Sequence, residues 1–168
     1  MKRFKDKYNH YLIFILEKKK YAISVSAVER IYRAVNITPL PEGPDILKGI
    51  IKIGTLIVPV INIRKRFLLP DREIELSDHL ITVRTKNFIL ALPVDEVTGL
   101  MEIDDEHVEK KNTIFPDIKY IEGVIKLSSD IIIIHNLDEF LFPDEEAKLV
   151  DITGEKREYS GTSAQNIK

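Results

Sequence analysis

The sequence of 168 residues predicts an all-β fold in which two small β-barrels share one hydrophobic core. Three observations lead to this prediction: short runs of β-branched and aromatic residues, turn residues between these runs, and an internal repeat. Four or more short strands per repeat, with one short helix, are typical of small barrels. A β-sandwich is the second architecture that this pattern allows.

The internal repeat is clearest where residues 49–63 return as residues 123–137. The identical pairs are Gly49/Gly123, Ile51/Ile125, Lys52/Lys126, Ile57/Ile131 and Asn62/Asn136. Residues 21–28 align in the same way with residues 90–97. We therefore interpret residues 11–68 and 80–141 as two copies of one supersecondary unit. Chance similarity between Ile-rich strands is the alternative.

Each copy opens with a predicted hairpin. In the first copy, residues 11–16 and 21–25 form the two strands, and a charged turn joins them. In the second copy, residues 80–83 and 88–92 play the same parts. The uninterrupted apolar run of the first strand indicates that both of its faces are buried.

A short helix is expected after each hairpin. Ser26 is placed as an N-cap with Glu29 completing a capping box, and the following apolar residues keep the spacing of one helical face. These residues are Val28, Ile31, Tyr32 and Val35. In the second copy Asp95 takes the cap position, but the apolar pattern stops at Gly99, so we expect a single turn there.

A proline-containing crossing at residues 37–41 and at 112–116 leads into the repeated strands, which are closed by tight turns such as Gly54-Thr55. Pro59 lies inside one of these strands, which predicts an edge strand or a bulge.

Residues 138–149 are predicted to form a C-terminal helix that is broken at Pro143. Residues 151–168 are polar and aperiodic, and we expect them to be disordered.

Composition excludes several classes of function. The absence of cysteine excludes disulfides, thiol catalysis and cysteine-ligated metals. The four histidines lack the paired spacing of a metal site, and the acidic run at residues 104–106 lacks the spacing of a calcium loop. No nucleophile elbow or phosphate-binding glycine loop is present. We therefore expect no catalytic activity, no metal and no cofactor.

Charge and hydropathy bear on partners and location. A net charge of −2 does not favour nucleic acid, and the basic runs at residues 18–20, 64–66 and 110–111 are interpreted as solvated faces. No apolar run approaches the ~20 residues of a membrane span. We expect a cytoplasmic protein that does not insert into the membrane, although recruitment to membrane receptors is compatible with this expectation.

Several short sequence segments together resemble the CheW-like domain of bacterial chemotaxis coupling proteins. They lie at residues 26–31, 38–41, 49–51, 57–64, 94–97 and 123–124, and the resemblance covers about residues 8–142. It implies two five-stranded, SH3-like barrels in a single domain without catalytic activity. It also implies an adaptor that joins the cytoplasmic tips of methyl-accepting chemoreceptors to the regulatory domain of a histidine kinase.

The resemblance implies four docking positions. Glu29 stands where the family has a glutamate implicated in coupling, and Gly49 matches a family glycine. Gly54 occupies the place of an arginine implicated in receptor and kinase coupling, and Asn62 that of an aspartate. Structural roles are the alternatives: capping for Glu29, and close backbone approach or positive φ for Gly49.

Differences between the two copies refine this set. Gly49 and Asn62 recur in the second copy, which favours structural roles for both. Glu29 aligns with Thr98, and Gly54 aligns with Ser128. These asymmetric positions are therefore the stronger candidates for docking.

Three functions remain open at this point. The leading hypothesis is a chemotaxis adaptor. Since Gly54 and Asn62 depart from the family pattern, the second is a divergent scaffold of a non-chemotactic signalling system. The third is an oligonucleotide-binding barrel.

Overall fold

The structure, a computed structural model, describes residues 8–110 and 116–153. Eleven strands and two α-helices form within these residues. The strands are β1 Tyr8–Leu16, β2 Lys19–Ser24, β3 Val28–Arg33, β4 Leu47–Ile53, β5 Leu56–Ile61, β6 His79–Arg84, β7 Ile89–Val94, β8 Glu96–Asp104, β9 Val108–Lys110, β10 Ile121–Lys126 and β11 Ile131–His135. The helices are α1 Ile63–Arg66 and α2 Pro143–Thr153.

The strands form two sheets. A six-stranded sheet has the order β8-β1-β2-β11-β10-β9, and a five-stranded sheet has the order β3-β6-β7-β5-β4. Most neighbours are antiparallel, but β11 pairs with β2, and β5 with β7, in parallel. This arrangement confirms the predicted all-β class with two strand-rich subdomains.

The two sequence copies exchange their opening hairpins. The β1–β2 hairpin of the first copy lies in the six-stranded sheet with strands of the second copy, and the β6–β7 hairpin lies in the five-stranded sheet with strands of the first. Corresponding ladders match, because β1 pairs with β8 as β6 pairs with β3. Each subdomain therefore contains segments of both copies.

The core follows from this exchange. One large cluster contains residues of both sheets, among them Phe14 and Leu16 of β1 and Leu92 of β7, all at most 1% exposed. Two smaller clusters fill the individual subdomains, one around Ile125 and Ile132 and one around Val58 and Val60. The central cluster joins the halves, because separating them would expose its apolar surface to water.

The predicted helix after the first hairpin is wrong. A single 3₁₀ turn, Val25–Ala27, is followed by strand β3, which contains Glu29. The side chain of Ser26 lies 2.8 Å from the hydroxyl of Ser24 and does not cap a helix. Five residue pairs with β6 give β3 a ladder that local helical spacing cannot provide. In the second copy, strand β8 likewise follows Asp95 directly.

Pro59 lies in a strand that has neighbours on both sides, so the predicted edge position is wrong. It is also not at a bulge, because the irregularity of the β4–β5 ladder lies between Leu47 and Gly49. Pro59 faces Ile50, whose N–H and C=O groups both bond Thr38 at 2.9 Å. The missing N–H of the proline therefore costs the β4–β5 ladder no hydrogen bond.

The C-terminal helix begins at Pro143 and is not broken there, which corrects the prediction. Proline suits the first helical turn, because its absent N–H has no partner at that position. The helix extends to Thr153, so residues 151–153 are helical. The remainder of the predicted disordered tail, residues 154–168, lies outside the described residues, as does most of the second proline crossing.

Candidate functional site

Glu29 is a bulge residue on β3. The ladder between β3 and β6 skips it, because the register shifts between Val28 and Arg30. A bulge of this kind redirects a side chain away from the regular alternation of a strand. The β1–β8 ladder skips Thr98 in the same way. The structure thus reproduces the sequence alignment of Glu29 with Thr98, and places a carboxylate in one copy and a hydroxyl in the other.

The carboxylate of Glu29 is accessible but not isolated. Its Oε1 lies 2.8 Å from Nε of Arg84 at the end of β6, and the two side chains are 38% and 46% exposed. An ion pair with this exposure contributes little to stability. Breaking this pair would therefore cost the protein little stability.

Gly54 forms the turn between β4 and β5. The ladder closes at Ile53 and Leu56, which leaves a two-residue loop of Gly54 and Thr55. Gly54 has a φ of +60°, whereas Thr55 is not among the residues with positive φ. This is the pattern of a type II′ turn, which requires glycine at its first central position. A Cβ at Gly54 would meet no atom within 4 Å, so the turn projects into open space.

Gly49 is buried and has a structural role. A Cβ at this position would lie 2.3 Å from the carbonyl oxygen of Thr38, which bridges to β4. At its counterpart Gly123, a Cβ would lie 2.5 Å from the carbonyl oxygen of Glu109 on β9. Both glycines therefore allow a neighbouring backbone to approach closely.

Asn62 is 4% exposed, and its side chain caps α1. Its Oδ1 accepts a hydrogen bond from the backbone N–H of Lys65 at 3.2 Å, and its Nδ2 donates to Asp71 at 3.1 Å. Asn136 repeats the cap by accepting from the N–H of Asp138 at 3.1 Å. The burial of Asn62 leaves no surface for direct contact with a partner.

A partly buried ion-pair network lies beside Asn62. Arg64, whose side chain is 6% exposed, donates hydrogen bonds from its two terminal nitrogens to Glu17 and Asp95. Arg72 donates a hydrogen bond to the same Asp95 at 2.6 Å, and it donates two more to the carboxylate of Asp78 at 2.7 and 2.8 Å. Bidentate pairing of this kind is among the stronger polar contacts in proteins.

The network joins segments that are distant in the sequence. Glu17 lies in the β1–β2 turn, where it adopts a positive φ of 49°, and its N–H donates to Asp95 at 2.9 Å. Asp95 lies between β7 and β8, where the chain passes from one sheet to the other. Arg72 lies in the middle, and Asp78 at the end, of the loop between α1 and β6. The network thus fixes this loop and the strained turn onto the sheet crossover.

The carboxylates of the network are held in their charged form. Burial alone would raise the pKa of Asp95, but the hydrogen bonds from Arg64 and from the N–H of Glu17 outweigh it and lower the pKa. Burial would likewise raise the pKa of Asp78. The hydrogen bonds from Arg72 and from the N–H of Glu75 outweigh it and lower the pKa. The pKa of the Arg72 guanidinium is raised, and the largest cause is its hydrogen bond to Asp78. The network therefore holds Asp78 and Asp95 in the charged form that their ion pairs need, which is a structural role.

The prediction that Asp95 caps a helical turn is wrong, and sequence reasoning missed its partnership with Arg64. One signal was present: Arg64 aligns with Asp138 in the second copy, and Asp95 with Ser26. Both members of the pair thus change their charge between copies. Residues that break an internal repeat together are candidates for mutual contact.

Two residues of the basic run at 64–66 form ion pairs within the protein. Arg66 bonds Glu145 of α2, and its guanidinium carbon lies 3.8 Å from the centre of the Phe142 ring. With Arg64 also engaged, two of the three cations point into the protein. This run therefore offers little to the phosphates of a nucleic acid.

In the described parts of the chain, no three His, Cys, Asp or Glu side chains converge as metal ligands would. No described helix is both long enough and apolar enough to cross a membrane. The accessible candidates that remain are Glu29 on the β3 bulge and the turn at Gly54, while Gly49 and Asn62 support the fold.

Comparison with known proteins adds sequence and structural relatives. The chain is 23% identical over 145 residues to the chemotaxis protein CheW of Treponema pallidum, covering 83% of this chain and 85% of that protein. It is 25% identical over 130 residues to the chemotaxis protein CheW of Thermotoga maritima, covering 77% and 85%. The crystal structure of the scaffolding protein TtCheW from Thermoanaerobacter tengcongensis superposes with a TM-score of 0.74 at 28% identity, over 82% of this chain and 94% of that one.

The family model of the CheW-like domain matches residues 10–142, which include all eleven strands except the first two residues of β1. The structural match extends over both sheets, and the relatives are matched over most of their length. The chain therefore belongs to the CheW-like domain family.

Proposed function

We propose that this protein is a non-catalytic adaptor of bacterial chemotaxis, which couples chemoreceptors to a histidine kinase. The observation that carries the proposal is the family match over residues 10–142 together with the complete two-subdomain fold. The relatives of similar length bear the name chemotaxis protein CheW. The partners that follow are the cytoplasmic tips of methyl-accepting chemoreceptors and the regulatory domain of the kinase.

The docking surface that we propose includes the β3 bulge with Glu29 and the exposed β4–β5 turn with Gly54. Glu29 is an accessible carboxylate that pairs with the half-exposed Arg84. A side chain at Gly54 of the turn would meet no other atom within 4 Å. Rigid strands support both positions, as recognition of a protein partner requires.

Reconstitution with receptor-containing membranes and the kinase tests this proposal. The wild-type chain is expected to bring kinase to the membranes and to raise its rate of ATP turnover. Glu29→Arg is expected to reduce both effects at least tenfold, because it places a like charge beside Arg84 and removes the carboxylate. Glu96→Arg, at an exposed glutamate of β8, is the matched charge reversal and is expected to retain activity.

Wild-type protein that neither binds receptors nor stimulates kinase would overturn the proposal. Equal loss of activity in Glu29→Arg and Glu96→Arg would show that the β3 bulge is not a specific docking element. Circular dichroism of each variant distinguishes lost docking from lost folding.

A second candidate is a scaffold of a non-chemotactic signalling system, and the observation that favours it is Gly54. The turn that carries a coupling arginine in the family here carries no side chain at that position. Arginine at Gly54 would be strained in a type II′ turn, whereas Thr55→Arg places a guanidinium on the same turn without positive φ. Coupling by Thr55→Arg but not by the wild type would favour this candidate. Full coupling by the wild type would remove its basis.

A further inference from the structure

Each sheet is completed by a hairpin from the other half of the chain. We call residues 1–76 the leading half and residues 77–168 the trailing half. In the six-stranded sheet, the β1–β2 hairpin of the leading half lies between β8 and β11 of the trailing half. In the five-stranded sheet, the β6–β7 hairpin of the trailing half lies between β3 and β5 of the leading half. The two halves are therefore inserted into each other, and within the described residues each sheet is interrupted if either half is removed.

The surface between the halves is built like a permanent protein interface. Both edges of each inserted hairpin pair with strands of the other half, namely β1 with β8, β2 with β11, β6 with β3 and β7 with β5. The central core cluster also contains side chains of both halves, among them Leu16 and Ile63 of the leading half and Leu92 and Phe140 of the trailing half, each at most 1% exposed. Separation would therefore open four strand edges and expose this core.

The two halves carry opposite net charges. The leading half contains 15 lysines and arginines against 8 aspartates and glutamates, which gives a net charge of +7. The trailing half contains 10 against 19, which gives a net charge of −9. Ion pairs between the halves follow the same direction, because Arg64 binds Asp95 and Arg66 binds Glu145. Charge complementarity of this kind favours binding of one half to the other.

The internal repeat allows a competing arrangement, in which two copies of the same half pair with each other. Arg64 aligns with Asp138, and Asp95 aligns with Ser26. In a pair of leading halves Arg64 would therefore face Ser26, and a buried guanidinium would lose its carboxylate. In a pair of trailing halves Asp138 would face Asp95, and two carboxylates would repel each other. The net charges of equal sign add to this repulsion, so each half is suited only to the other.

We propose that the two halves are specific partners, which assemble into the native fold even as two separate chains, and that neither half pairs with a second copy of itself. The link between them is an exposed turn. The N–H of Asp78 donates to the carbonyl of Glu75 at 3.0 Å, and Leu76 between them is 93% exposed. A cut between Leu76 and Ser77 leaves every described strand whole and keeps both sides of the Arg64 network.

Cleavage of the folded chain tests the proposal. A protease recognition sequence inserted between Leu76 and Ser77 lies at an exposed loop tip, where insertions are tolerated, and the uncut protein is the matched control. After cleavage the two fragments are expected to elute together as one particle at micromolar concentration, with the circular dichroism of the uncut protein. The urea midpoint of the cleaved protein is expected to rise with protein concentration, because only this protein unfolds into two chains.

The choice of partner has its own test. The fragments of the cleaved protein are separated in urea and then diluted out of urea, either alone or together. The mixture is expected to recover the circular dichroism of the folded protein, whereas neither fragment alone is expected to recover it. Arg64→Met is expected to weaken the association of the cleaved halves at least about tenfold, because Asp95 loses a partner. Lys52→Met removes an exposed cation of the same half and is expected to leave the association unchanged.

Fragments that separate after cleavage, or a urea midpoint of the cleaved protein that does not depend on its concentration, would overturn the proposal. A leading fragment that recovers the folded circular dichroism by itself would overturn the choice of partner. Equal association of the Arg64→Met and Lys52→Met proteins would overturn the part that charge plays in this choice. The inference goes beyond the adaptor function and does not depend on it, since these measurements use the purified chain without receptor or kinase.

Discussion

We predict that His135 makes the stability of this protein sensitive to mild acid. It lies at the end of β11, is 4% exposed, and neither of its ring nitrogens makes a well-formed hydrogen bond within the described residues, since the contact with the Tyr120 backbone is a weak one. Its ring stacks on Phe67 at 3.9 Å and lies 5.5 Å from the ring of Tyr21. Burial lowers the pKa of His135 from 6.5 to about 3, against a smaller opposing influence of the Tyr120 backbone. The aromatic cluster therefore accepts only the neutral imidazole.

The sign and size of the effect follow from proton linkage. Since the folded pKa lies below the unfolded one, the unfolded chain binds the proton more tightly, and stability falls as the pH falls below about 6.5. At pH 5 the protonated imidazole of the unfolded chain exceeds the neutral form about thirtyfold. The free energy of unfolding is therefore expected to be about 2 kcal/mol lower at pH 5 than at pH 8. The loss at pH 5 depends little on the folded value, because a folded pKa near 3 leaves His135 neutral there.

Urea unfolding between pH 8 and pH 5, followed by circular dichroism, measures this loss. His135→Phe and His135→Leu are expected to abolish most of the decline, whatever their stability at pH 8, because neither residue titrates. His107→Gln changes an exposed histidine and serves as the matched control. An unchanged pH dependence in both His135 variants would refute the reasoning. The lowered pKa of Asp78 and of Asp95 predicts a separate decrease in stability, which begins only below about pH 4.

Four further predictions concern stability measured by urea unfolding at neutral pH. Arg64→Met is expected to cost about 3 kcal/mol, near the lower limit for breaking a buried ion pair, because one of its two carboxylates keeps a second arginine. Gly49→Ala is expected to cost about 1–3 kcal/mol or more, because its Cβ would lie 2.3 Å from a backbone oxygen. Gly54→Ala has free space but a positive φ, and is expected to cost about 1 kcal/mol. Asn62→Ala is expected to cost about 1–2 kcal/mol through the lost helix cap.

Matched controls sharpen these comparisons. Lys52→Met removes an exposed cation and is expected to change stability by less than about 0.5 kcal/mol. A similar small change in Arg64→Met would contradict the structural role of the network. Gly123→Ala is expected to behave like Gly49→Ala because both positions meet a neighbouring carbonyl. If Gly54→Ala were the most destabilising of the three glycine variants, close backbone approach would not be the main reason for glycine at positions 49 and 123.

The strands and their turns could be read from local sequence. The repeated glycines at positions 49 and 123 predicted a shared backbone requirement, and both meet a neighbouring carbonyl in the structure. The two-residue turn at Gly54 was also recognisable, since its glycine lies between two β-branched runs. These features depend on side chains close in sequence, and so a single chain suffices to predict them.

The surroundings of Glu29 could not be read in the same way. Ser26 and Glu29 carry the spacing of a capping box, and the apolar residues beyond them fit a helix as well as a strand. The ladder with β6, more than 45 positions further along the chain, decides in favour of the strand. Arg64 and Asp95 were missed for a related reason, because nothing local to either residue identifies the other as its partner.

The sequence by itself determined the repeated unit, the short strands and the tight turns, because alternation, glycine and proline act over a few neighbouring residues. Only the tertiary structure decided that the β1–β2 and β6–β7 hairpins exchange places between the sheets. A hairpin specifies its own register, but it carries no local information about which of two similar strand edges it joins. That choice is made where the central core and the Arg64 network bring both halves together, and it places Glu29 on an open edge.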